Sequence, residues 1–170
     1  MNRFATGGLT LLLTLLSYHS VDGQAVRDDG SSPEAVVRSV YDLVSWEAGG
    51  MADWDAVRAV FIPEAVVFLR YRELTQFSVD TFLQDFIEFA ERSSAGTDGF
   101  AEQVVSAKAW EYGDIAHVVT VYEARILGSE RPPTRGVDSW SLVRRDGEWK
   151  VASVVNELVR PDRPLPEGLD

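Results

Sequence analysis

The segment of residues 136–158 constrains the fold more than any other part of the chain. It contains two runs in which apolar and polar residues alternate, and the runs are joined at Asp146-Gly147. An Asp-Gly pair between two such runs is the strongest local indication of a β-hairpin, because a type I′ turn needs positive φ angles at both central residues. We therefore predict a hairpin near the end of the chain, with its turn at these two residues.

The composition is typical of a domain that is held together by its apolar core. The chain has 170 residues, of which 45% are hydrophobic, with five tryptophans and no cysteine. The absence of cysteine excludes disulfides, thiolate catalysis and cysteine metal sites. The net charge of −11 argues against a nucleic-acid partner and against binding to an anionic membrane surface.

Residues 1–25 have the pattern of a secretory signal peptide. Asn2-Arg3 provides a short positive region, and residues 9–16 form an apolar stretch that is too short for a membrane anchor. Residues 17–25 are more polar and contain the small residues Gly23 and Ala25. We expect cleavage after one of these two residues and an exported protein, periplasmic or secreted if the source is bacterial. A buried N-terminal helix is the alternative.

A first helix is predicted to follow a flexible lead-in over residues 26–31. Ser31 would form a capping box with Glu34, or Ser32 would cap a helix whose first residue is Pro33. Gly49-Gly50 is expected to end this helix. Apolar residues recur along it at helical spacing, so one face is expected to be buried: Val36, Val37, Val40, Tyr41 and Val44.

Two further helices are predicted before the main part of the sheet. Asp53 is expected to cap a short helix that Pro63 stops, and its inner face would carry Trp54, Val57 and Phe61. A strand over residues 65–71, with residues 72–77 as its partner, precedes a helix that Ser78 caps and that runs from residue 79 to 92. Phe82, Phe86 and Phe89 form a stripe on this last helix, which indicates core packing or, alternatively, the wall of a ligand site.

After residue 99 the hydrophobic period changes from 3.6 to 2, which indicates a sheet. Long strands are predicted over residues 100–112 and 115–127, and the hairpin follows an exposed connection with two prolines. Residues 32–160 would form one domain, and residues 161–170 an irregular tail. Helices followed by long strands define an α+β fold, in which the helices pack on one face of a strongly curved, mainly antiparallel sheet.

Several short motifs, taken in their order along the chain, resemble the nuclear transport factor 2-like superfamily. They are residues 54–61 followed by Pro63-Glu64-Ala65, residues 113–116, Tyr122-Glu123, residues 135–140 and residues 146–151. The superfamily includes ketosteroid isomerase, scytalone dehydratase and SnoaL-like polyketide cyclases, and the resemblance spans residues 33–159. It implies a cystatin-like cone, with a pocket between the concave face of the sheet and the helices, and a homodimer formed through the other face of the sheet.

The resemblance, combined with strand alternation, assigns side chains to this pocket. One face of the first hairpin strand carries Asp138, Trp140 and Leu142, and one face of the second carries Val154, Asn156 and Leu158. The resemblance turns both faces toward the pocket. His117 and Tyr122 lie on opposite faces of the preceding strand, so only one of them can line the pocket, and the sequence leaves open which one does.

The ketosteroid isomerase pattern is intact at one of its three catalytic positions. That type of enzyme uses a carboxylate base, a tyrosine and a protonated aspartic acid. Alignment places the tyrosine at Val40 and the base at Leu69, neither of which can act in this way, while the acid is retained as Asp138. Tyr41 would replace the tyrosine only if the alignment moved by one residue. The alternative role for Asp138 is a hydrogen bond to the backbone or to Arg135.

Three other chemistries have partial support. Scytalone dehydratase-like chemistry would need paired histidines, whereas the predicted mature chain has His117 alone. Relatives that hydrolyse epoxides use an arginine between two acids, which Glu123, Arg125 and Asp138 could imitate on a shared face; a cross-strand ion pair explains the first two equally well. With one histidine and no cysteine, no metal site is expected, and no cofactor motif is present.

The aromatic content indicates a pocket for a small molecule. We predict that the protein binds an apolar or aromatic molecule, with no cofactor, no nucleic acid and no membrane anchor. The predicted ligand-binding residues are Trp54, Tyr71, Phe86, Trp140 and Asn156, with Asp138 as the polar anchor.

Two alternatives remain at the level of the sequence. One is a lyase, isomerase or hydrolase that uses Asp138 with Tyr41 or His117. The other is a protein-interaction module, whose interior would be filled by side chains and whose sheet would expose a large apolar patch.

Overall fold

The computed structural model describes residues 32–70, 73–165 and 167–169. Within these ranges, six strands form one sheet in the order β2-β1-β6-β5-β4-β3. The strands are β1 (Phe61–Arg70), β2 (Leu74–Ser78), β3 (Phe100–Tyr112), β4 (Ile115–Ile126), β5 (Thr134–Arg145) and β6 (Glu148–Leu158). Neighbouring strands are antiparallel, except β1 and β6, which are parallel. The helices are α1 (Pro33–Leu43), α2 (Trp54–Val60), α3 (Val79–Arg92) and α4 (Ala95–Asp98).

The predicted terminal hairpin is confirmed as β5 and β6. Asp146 has a φ angle of 54° and Gly147 one of 85°, which is the geometry that a type I′ turn needs. Arg145 and Glu148 pair directly across this turn, and the register continues to Gly136 opposite Leu158. The hairpin therefore lies in the centre of the sheet, where it carries Asp138 and Trp140 on its concave face.

The helix starts follow from side-chain capping. The Ser32 hydroxyl accepts a hydrogen bond from the backbone N–H of Ala35 at 3.1 Å, and Pro33 is the first helical residue, so the second of the two predicted starts is the one present. Asp53 caps α2 as predicted. Ser78 and Thr81 form a reciprocal capping box at the start of α3, and α3 has the predicted bounds.

Two predicted helix ends are wrong. The first helix ends at Leu43 rather than at Gly49-Gly50, because Trp46 leaves the helix to exchange two backbone hydrogen bonds with Phe100, at 2.8 and 2.9 Å. Phe61 does not belong to the inner face of α2 but begins β1, where it pairs with Val151. In both places a pairing with a distant part of the chain overrides the local helical pattern.

The sheet curves around the core at irregular positions. Register shifts occur between Phe61 and Val66, between Val104 and Ser106, and between Ser141 and Leu142. Such bulges bend a strand and increase its twist. Helix α1 packs against β3 and β4, and α3 packs against β1 and β2, so the helices cover the concave face.

A second cluster of apolar residues closes one end of the cone. It contains Trp46, Ala52, Ala90, Ala95 and Phe100. The indole N–H of Trp46 donates a hydrogen bond to the Ala95 carbonyl at 2.9 Å, which joins the segment after α1 to the short helix α4. This cluster leaves the central part of the cone, between α1, α3 and the sheet, for the site described below.

The convex face of the sheet presents apolar side chains to solvent. Trp110 is 57% exposed, Ile115 60% and Val155 43%. Residues 167–169 run beside β3 on this face, where Ser106 donates a hydrogen bond to the Leu169 carbonyl and Lys108 donates one to Gly168.

Some predicted segments fall outside the described residues. They are the signal peptide of residues 1–25, the lead-in of residues 26–31 and Tyr71. In the part of the chain that the structure does describe, no helix is long and apolar enough to cross a membrane.

Candidate functional site

A cavity of about 660 Å³ lies between the concave face of the sheet and helices α1 and α3. Its volume is in the range of sites that enclose small organic molecules. The wall is mainly apolar, and its aromatic members are Tyr41, Phe61, Phe82, Phe86, Phe89, Phe100, Tyr122 and Trp140. The protein-interaction module considered as an alternative would have an interior filled by side chains. The interior of this fold contains a cavity instead.

Asp138 is the centre of a buried polar cluster in this cavity. Its side chain is held opposite Asn156 by the β5–β6 register, and the residue is only 7% exposed. The Tyr41 hydroxyl donates a hydrogen bond to Oδ2 at 2.6 Å, and Asn156 Nδ2 donates one to Oδ1 at 2.8 Å. Both carboxylate oxygens thus have a donor, which is what a buried ionised carboxylate needs.

The cluster continues as a directed chain of hydrogen bonds. The indole N–H of Trp140 donates to the Thr120 hydroxyl at 3.0 Å, and that hydroxyl lies 2.7 Å from the Tyr41 hydroxyl. Because the only hydroxyl proton of Tyr41 goes to Asp138, Thr120 donates to Tyr41. The chain therefore runs from Trp140 through Thr120 and Tyr41, and it ends on the Asp138 carboxylate. Such a chain fixes the orientation of all four side chains.

Tyr122 extends the cluster toward β6. Its hydroxyl accepts a hydrogen bond from Asn156 Nδ2 at 2.9 Å, and its ring centroid lies 5.7 Å from that of Tyr41. Gly136 stands directly opposite Tyr122 in the β4–β5 register. A Cβ atom at position 136 would clash with the phenol ring. Glycine at 136 is therefore what lets Tyr122 lie flat over β5 and reach Asn156.

Substitution Gly136→Ala is expected to lower the free energy of unfolding by about 2 kcal/mol, a typical cost of overpacking in a core. The added methyl group would push the Tyr122 ring aside and break its hydrogen bond with Asn156. Urea unfolding followed by circular dichroism measures the change. The control is the same substitution in a Tyr122→Ala background, where the clash is gone and the extra cost should be small. An equal cost in both backgrounds would contradict this account.

The pKa values of Asp138 and Tyr41 determine which of the two groups is ionised and which donates a hydrogen bond. Burial raises the pKa of Asp138 to about 6, and the hydrogen bonds from Tyr41 and Asn156 act in the opposite direction. Burial and the Asp138 charge hold the pKa of Tyr41 far above its ordinary value. Tyr41 is therefore a hydrogen-bond donor at all accessible pH values, and the Tyr41–Asp138 pair positions groups in the cavity.

Glu102 is a cavity residue that the sequence analysis missed. It lies on β3 opposite Ala124, and its carboxyl group lines the cavity. Among the described residues, no side chain forms a hydrogen bond or ion pair with this carboxyl group. Burial, followed by the nearby Asp138 charge, raises the pKa of Glu102 to about 8. The sequence did contain an indication that Glu102 faces the cavity. Along β3 it lies on the same face as Phe100 and Val104, so it is a charged residue on an apolar face.

The backbone of Glu102 is fixed by the end of α1. The Ser45 hydroxyl accepts a hydrogen bond from the Glu102 N–H at 2.9 Å and lies 2.8 Å from the Tyr41 carbonyl, to which it donates. Glu102 and Tyr41 are thus anchored to the same serine. This arrangement holds the Glu102 carboxyl group near the Asp138 cluster.

Of the six predicted pocket residues, four line the cavity, Trp54 does not, and Tyr71 lies outside the described residues. Asp138, Trp140, Phe86 and Asn156 are in its wall. Trp54 is not among the lining residues: its ring packs against Trp46 and Phe86, at centroid distances of 6.0 and 5.7 Å, in the cluster that closes the cone. The structure thus places Trp54 outside the cavity wall, because α2 turns it toward the segment after α1.

The alignment with ketosteroid isomerase is partly corrected by the structure. Val40 and Leu69 do line the cavity, as apolar wall residues. The tyrosine that reaches Asp138 is the next residue, Tyr41. The position of the catalytic base is thus occupied by a leucine, while the acid and a tyrosine lie within hydrogen-bond distance of each other.

The alternatives that use the other face of β4 are wrong. His117 lies on the convex face, with Nε2 3.2 Å from the Ser139 hydroxyl, and Tyr122 is the residue that lines the cavity. Glu123 and Arg125 share the parity of His117, and Glu123 Oε1 lies 3.3 Å from Arg135 Nε. Neither His117 nor the Glu123–Arg125 pair can therefore act together with Asp138.

The charged residues at the cavity rim are engaged elsewhere. Arg70 pairs with Glu157 at 3.1 Å, and Arg92 pairs with Glu88 at 2.9 Å. Of the residues for which the structure gives coordinates, no group of three His, Asp or Glu side chains is arranged to hold a metal ion.

Comparison with solved structures identifies the fold. An NTF2-like protein of unknown function from Silicibacter pomeroyi DSS-3 is 25% identical, with a TM-score of 0.50, over 74% of this chain and 91% of that one. An NTF2-like protein with a cystatin-like fold from Novosphingobium aromaticivorans is 14% identical, with a TM-score of 0.55, over 64% and 71% of the two chains. The chain therefore has the cystatin-like fold of nuclear transport factor 2-like proteins, as the resemblance predicted.

The same fold occurs in a protein of a different kind. The association domain of C. elegans CaMKII is 12% identical, with a TM-score of 0.55, over 72% of this chain and 89% of that one. No family model matches the sequence, and no curated protein matches it. The fold hosts unrelated functions, so the function has to be argued from the cavity.

Proposed function

We propose that the protein binds a small, largely apolar molecule in the cavity between α1, α3 and the sheet. The observation that supports this most directly is a cavity of about 660 Å³ that side chains leave unfilled. Its apolar wall would hold the body of the ligand, and the polar cluster around Asp138 would orient it. Asn156 uses both amide hydrogens on Asp138 and Tyr122, so its amide oxygen is available to a donor on the ligand.

Two adjacent valines provide the test of this proposal. Val154 lines the cavity, whereas Val155 is on the convex face of the same strand. The substitution Val154→Phe should fill part of the cavity and weaken binding of the neutral fluorophore prodan at least about tenfold, or 1.4 kcal/mol. Val155→Phe should leave the fluorescence titration unchanged. Equal affinities in the two variants and the parent protein would show that the probe binds elsewhere.

Catalysis by Tyr41 and Asp138 is not part of the proposal. Both oxygens of Asp138 already accept hydrogen bonds, and the hydroxyl proton of Tyr41 is already donated to it. A proton taken from a substrate would have to displace one of these bonds. The pair is better suited to hold its neighbours in place than to transfer a proton.

We also propose that the mature protein is exported, because residues 1–25 have the pattern of a signal peptide. N-terminal sequencing of the protein recovered from the periplasm or culture medium of its natural host tests this. A first residue of Gln24 or Val26 would support the proposal. A cytoplasmic protein that retains residues 1–25 would contradict it.

Self-association through the convex face of the sheet is proposed on the basis of its exposed apolar side chains. Trp110, Tyr112, Ile115 and Val155 are all exposed on this face or at its edge. Trp110→Glu is expected to raise the dimer dissociation constant at least about tenfold, since buried aromatic residues dominate interfaces. Sedimentation velocity measures this constant. Met51→Glu, at an exposed apolar residue outside the sheet, is the control and should leave a dimer. A parent protein that sediments as a monomer would contradict the proposal.

A further inference from the structure

We infer that the ligand of the cavity carries an uncharged oxygen atom that accepts a hydrogen bond from the protonated carboxyl group of Glu102. This inference rests on the proposed function, because it specifies which class of molecule the same cavity takes: an apolar compound with an acceptor oxygen, such as a carbonyl. It is carried by the position of the Glu102 carboxyl group, by the residues around it, and by the way the neighbouring polar groups are already paired.

The Glu102 carboxyl group lies in an apolar part of the cavity wall. Phe100 and Val104 flank Glu102 on the same face of β3, and Ala124 stands directly opposite it on β4. Phe100, Glu102 and Ala124 all line the cavity, so the carboxyl group borders the space that a ligand would occupy. The hydrogen bonds that Glu102 makes with the described residues use its backbone, with the Ser45 hydroxyl as the side-chain partner. None of these neighbours stabilises an ionised carboxylate.

The nearby Asp138 determines which of the two carboxyl groups holds a proton. Asp138 accepts hydrogen bonds from Tyr41 and Asn156, whereas within the described part of the chain nothing is bonded to the Glu102 carboxyl group. Two neighbouring carboxyl groups repel each other when both are ionised, so the group with donors takes the charge and the group without them keeps the proton. Burial, followed by the Asp138 charge, accordingly raises the pKa of Glu102 to about 8, compared with about 6 for Asp138. At pH 7, Glu102 is therefore mostly a neutral hydrogen-bond donor.

The Asp138 cluster itself does not offer a ligand oxygen the same opportunity. Four of its side chains already use their polar hydrogens within the cluster: Tyr41, Thr120, Trp140 and Asn156. A ligand oxygen that bound to one of them would have to displace an existing hydrogen bond, whereas the hydrogen of protonated Glu102 has no acceptor among the described residues. A donor left without an acceptor in an apolar site is costly, and an oxygen on the ligand removes that cost. None of the three aligned positions of the ketosteroid isomerase pattern lies on β3, so this donor is additional to that pattern.

Ionisation of Glu102 links this selectivity to pH. As the pH rises through the pKa of about 8, the carboxyl group loses the hydrogen that it would donate, and its charge repels a ligand oxygen. Asp138, with a pKa of about 6, is already mostly ionised at pH 7. The other titratable or charged groups that line the cavity are Tyr41 on α1, Arg70 on β1, Asp85 and Arg92 on α3, Tyr122 on β4 and Asp138 on β5. A variant at position 102 therefore has to show which part of the pH dependence belongs to Glu102.

Two uncharged probes of one shape test the inference: 2-acetylnaphthalene, which has a ketone oxygen, and 2-isopropenylnaphthalene, in which a CH2 group replaces that oxygen. Their affinities are measured by displacement of prodan, whose own dissociation constant is determined for each variant and each pH. At pH 7 the ketone should bind about tenfold more tightly than the alkene, a difference of about 1.4 kcal/mol. At pH 9 this preference should fall to about twofold, because most Glu102 carboxyl groups are then ionised and cannot donate.

Two substitutions separate the hydrogen-bond donor from its titration. Glu102→Met removes the donor while keeping a side chain of similar length, so it should make the affinities of ketone and alkene equal. Glu102→Gln keeps an N–H donor that does not titrate, so it should retain a preference for the ketone that is the same at pH 7 and pH 9. Glu130→Gln, in an exposed loop, is the control and should behave as the parent protein does at both pH values.

The outcomes separate this inference from the proposed function. A preference for the ketone that Glu102→Met abolishes, with a pH dependence that Glu102→Gln abolishes, would support it. Equal affinities for ketone and alkene in the parent protein, with Val154→Phe weakening both, would overturn the inference and leave the cavity function intact. A preference that Glu102→Met retains, or one that is unchanged at pH 9 in the parent protein, would also overturn it. Failure of prodan and of both probes to bind would count against the proposed function itself and with it the inference.

Discussion

Substitution of Asp138 by alanine is expected to lower the free energy of unfolding by about 3 kcal/mol. The change would leave the Tyr41 hydroxyl and the Asn156 amide without their common acceptor, in a site where the residue they contact is 7% exposed. The chain of hydrogen bonds from Trp140 would also lose its end point. Urea unfolding at pH 7, followed by circular dichroism and by tryptophan fluorescence, measures the loss.

Two further variants identify the cause of that loss. Tyr41→Phe removes one donor and leaves the carboxylate bonded to Asn156, so it should cost about 1 kcal/mol. Asp162→Ala, at an exposed aspartate in the C-terminal segment, removes the same charge and should cost almost nothing. If Asp138→Ala were as harmless as Asp162→Ala, the buried cluster would not contribute to stability.

The stability of the protein is expected to fall as the pH rises from 5 to 9. The pKa of Glu102 is about 8 in the native state and 4.5 for an ordinary glutamate, so the native state binds this proton more tightly than the unfolded chain. Stability therefore decreases between these two pKa values and levels off above the higher one. Asp138 acts in the same direction at lower pH, between its ordinary pKa of 3.8 and about 6. We expect the free energy of unfolding to decrease by about 2 kcal/mol between pH 5 and pH 9. This is less than the full pKa shift of Glu102 would give, because the cavity is open to solvent, which screens the charge.

The variant Glu102→Gln should remove most of this dependence above pH 6, because the amide does not titrate. Glu130→Gln is the control and should keep the slope of the parent protein. Chemical unfolding at pH 5, 7 and 9 provides the comparison. A parent protein that is more stable at pH 9 than at pH 5, or a slope that survives in Glu102→Gln, would contradict a carboxyl group with a raised pKa in the cavity.

The elements that follow from local rules could be predicted from the sequence. The Asp146-Gly147 turn, the Ser78 cap and the bounds of β3 depend on residues that are close together in the chain. The end of α1 depends instead on the pairing of Trp46 with Phe100, which are 54 positions apart by their numbers, and no local pattern carries that information. The start of β1 at Phe61 depends in the same way on β6.

The polar cluster could be predicted in part. Strand alternation, combined with the family resemblance, turned Asp138 and Asn156 toward the pocket, and the register of β5 and β6 pairs them. The hydrogen bond between Tyr41 and Asp138 depends on how α1 is rotated about its axis over the sheet. An alignment error of one residue changes which α1 side chain is predicted to face Asp138, so the sequence did not identify Tyr41. Glu102 could have been found by the same alternation that found Asp138, since it shares a face with Phe100. Trp54 could not be placed, because its surroundings are formed by the segment after α1 and by α3.

Native mass spectrometry of the protein from its natural host tests the central claim, that the cavity holds a small molecule. Purification without detergent or organic solvent would preserve the complex. We predict a polypeptide with an additional small-molecule mass, which Val154→Phe lacks and Val155→Phe retains. The account would be contradicted if the parent protein and both variants were all observed at the mass of the polypeptide alone.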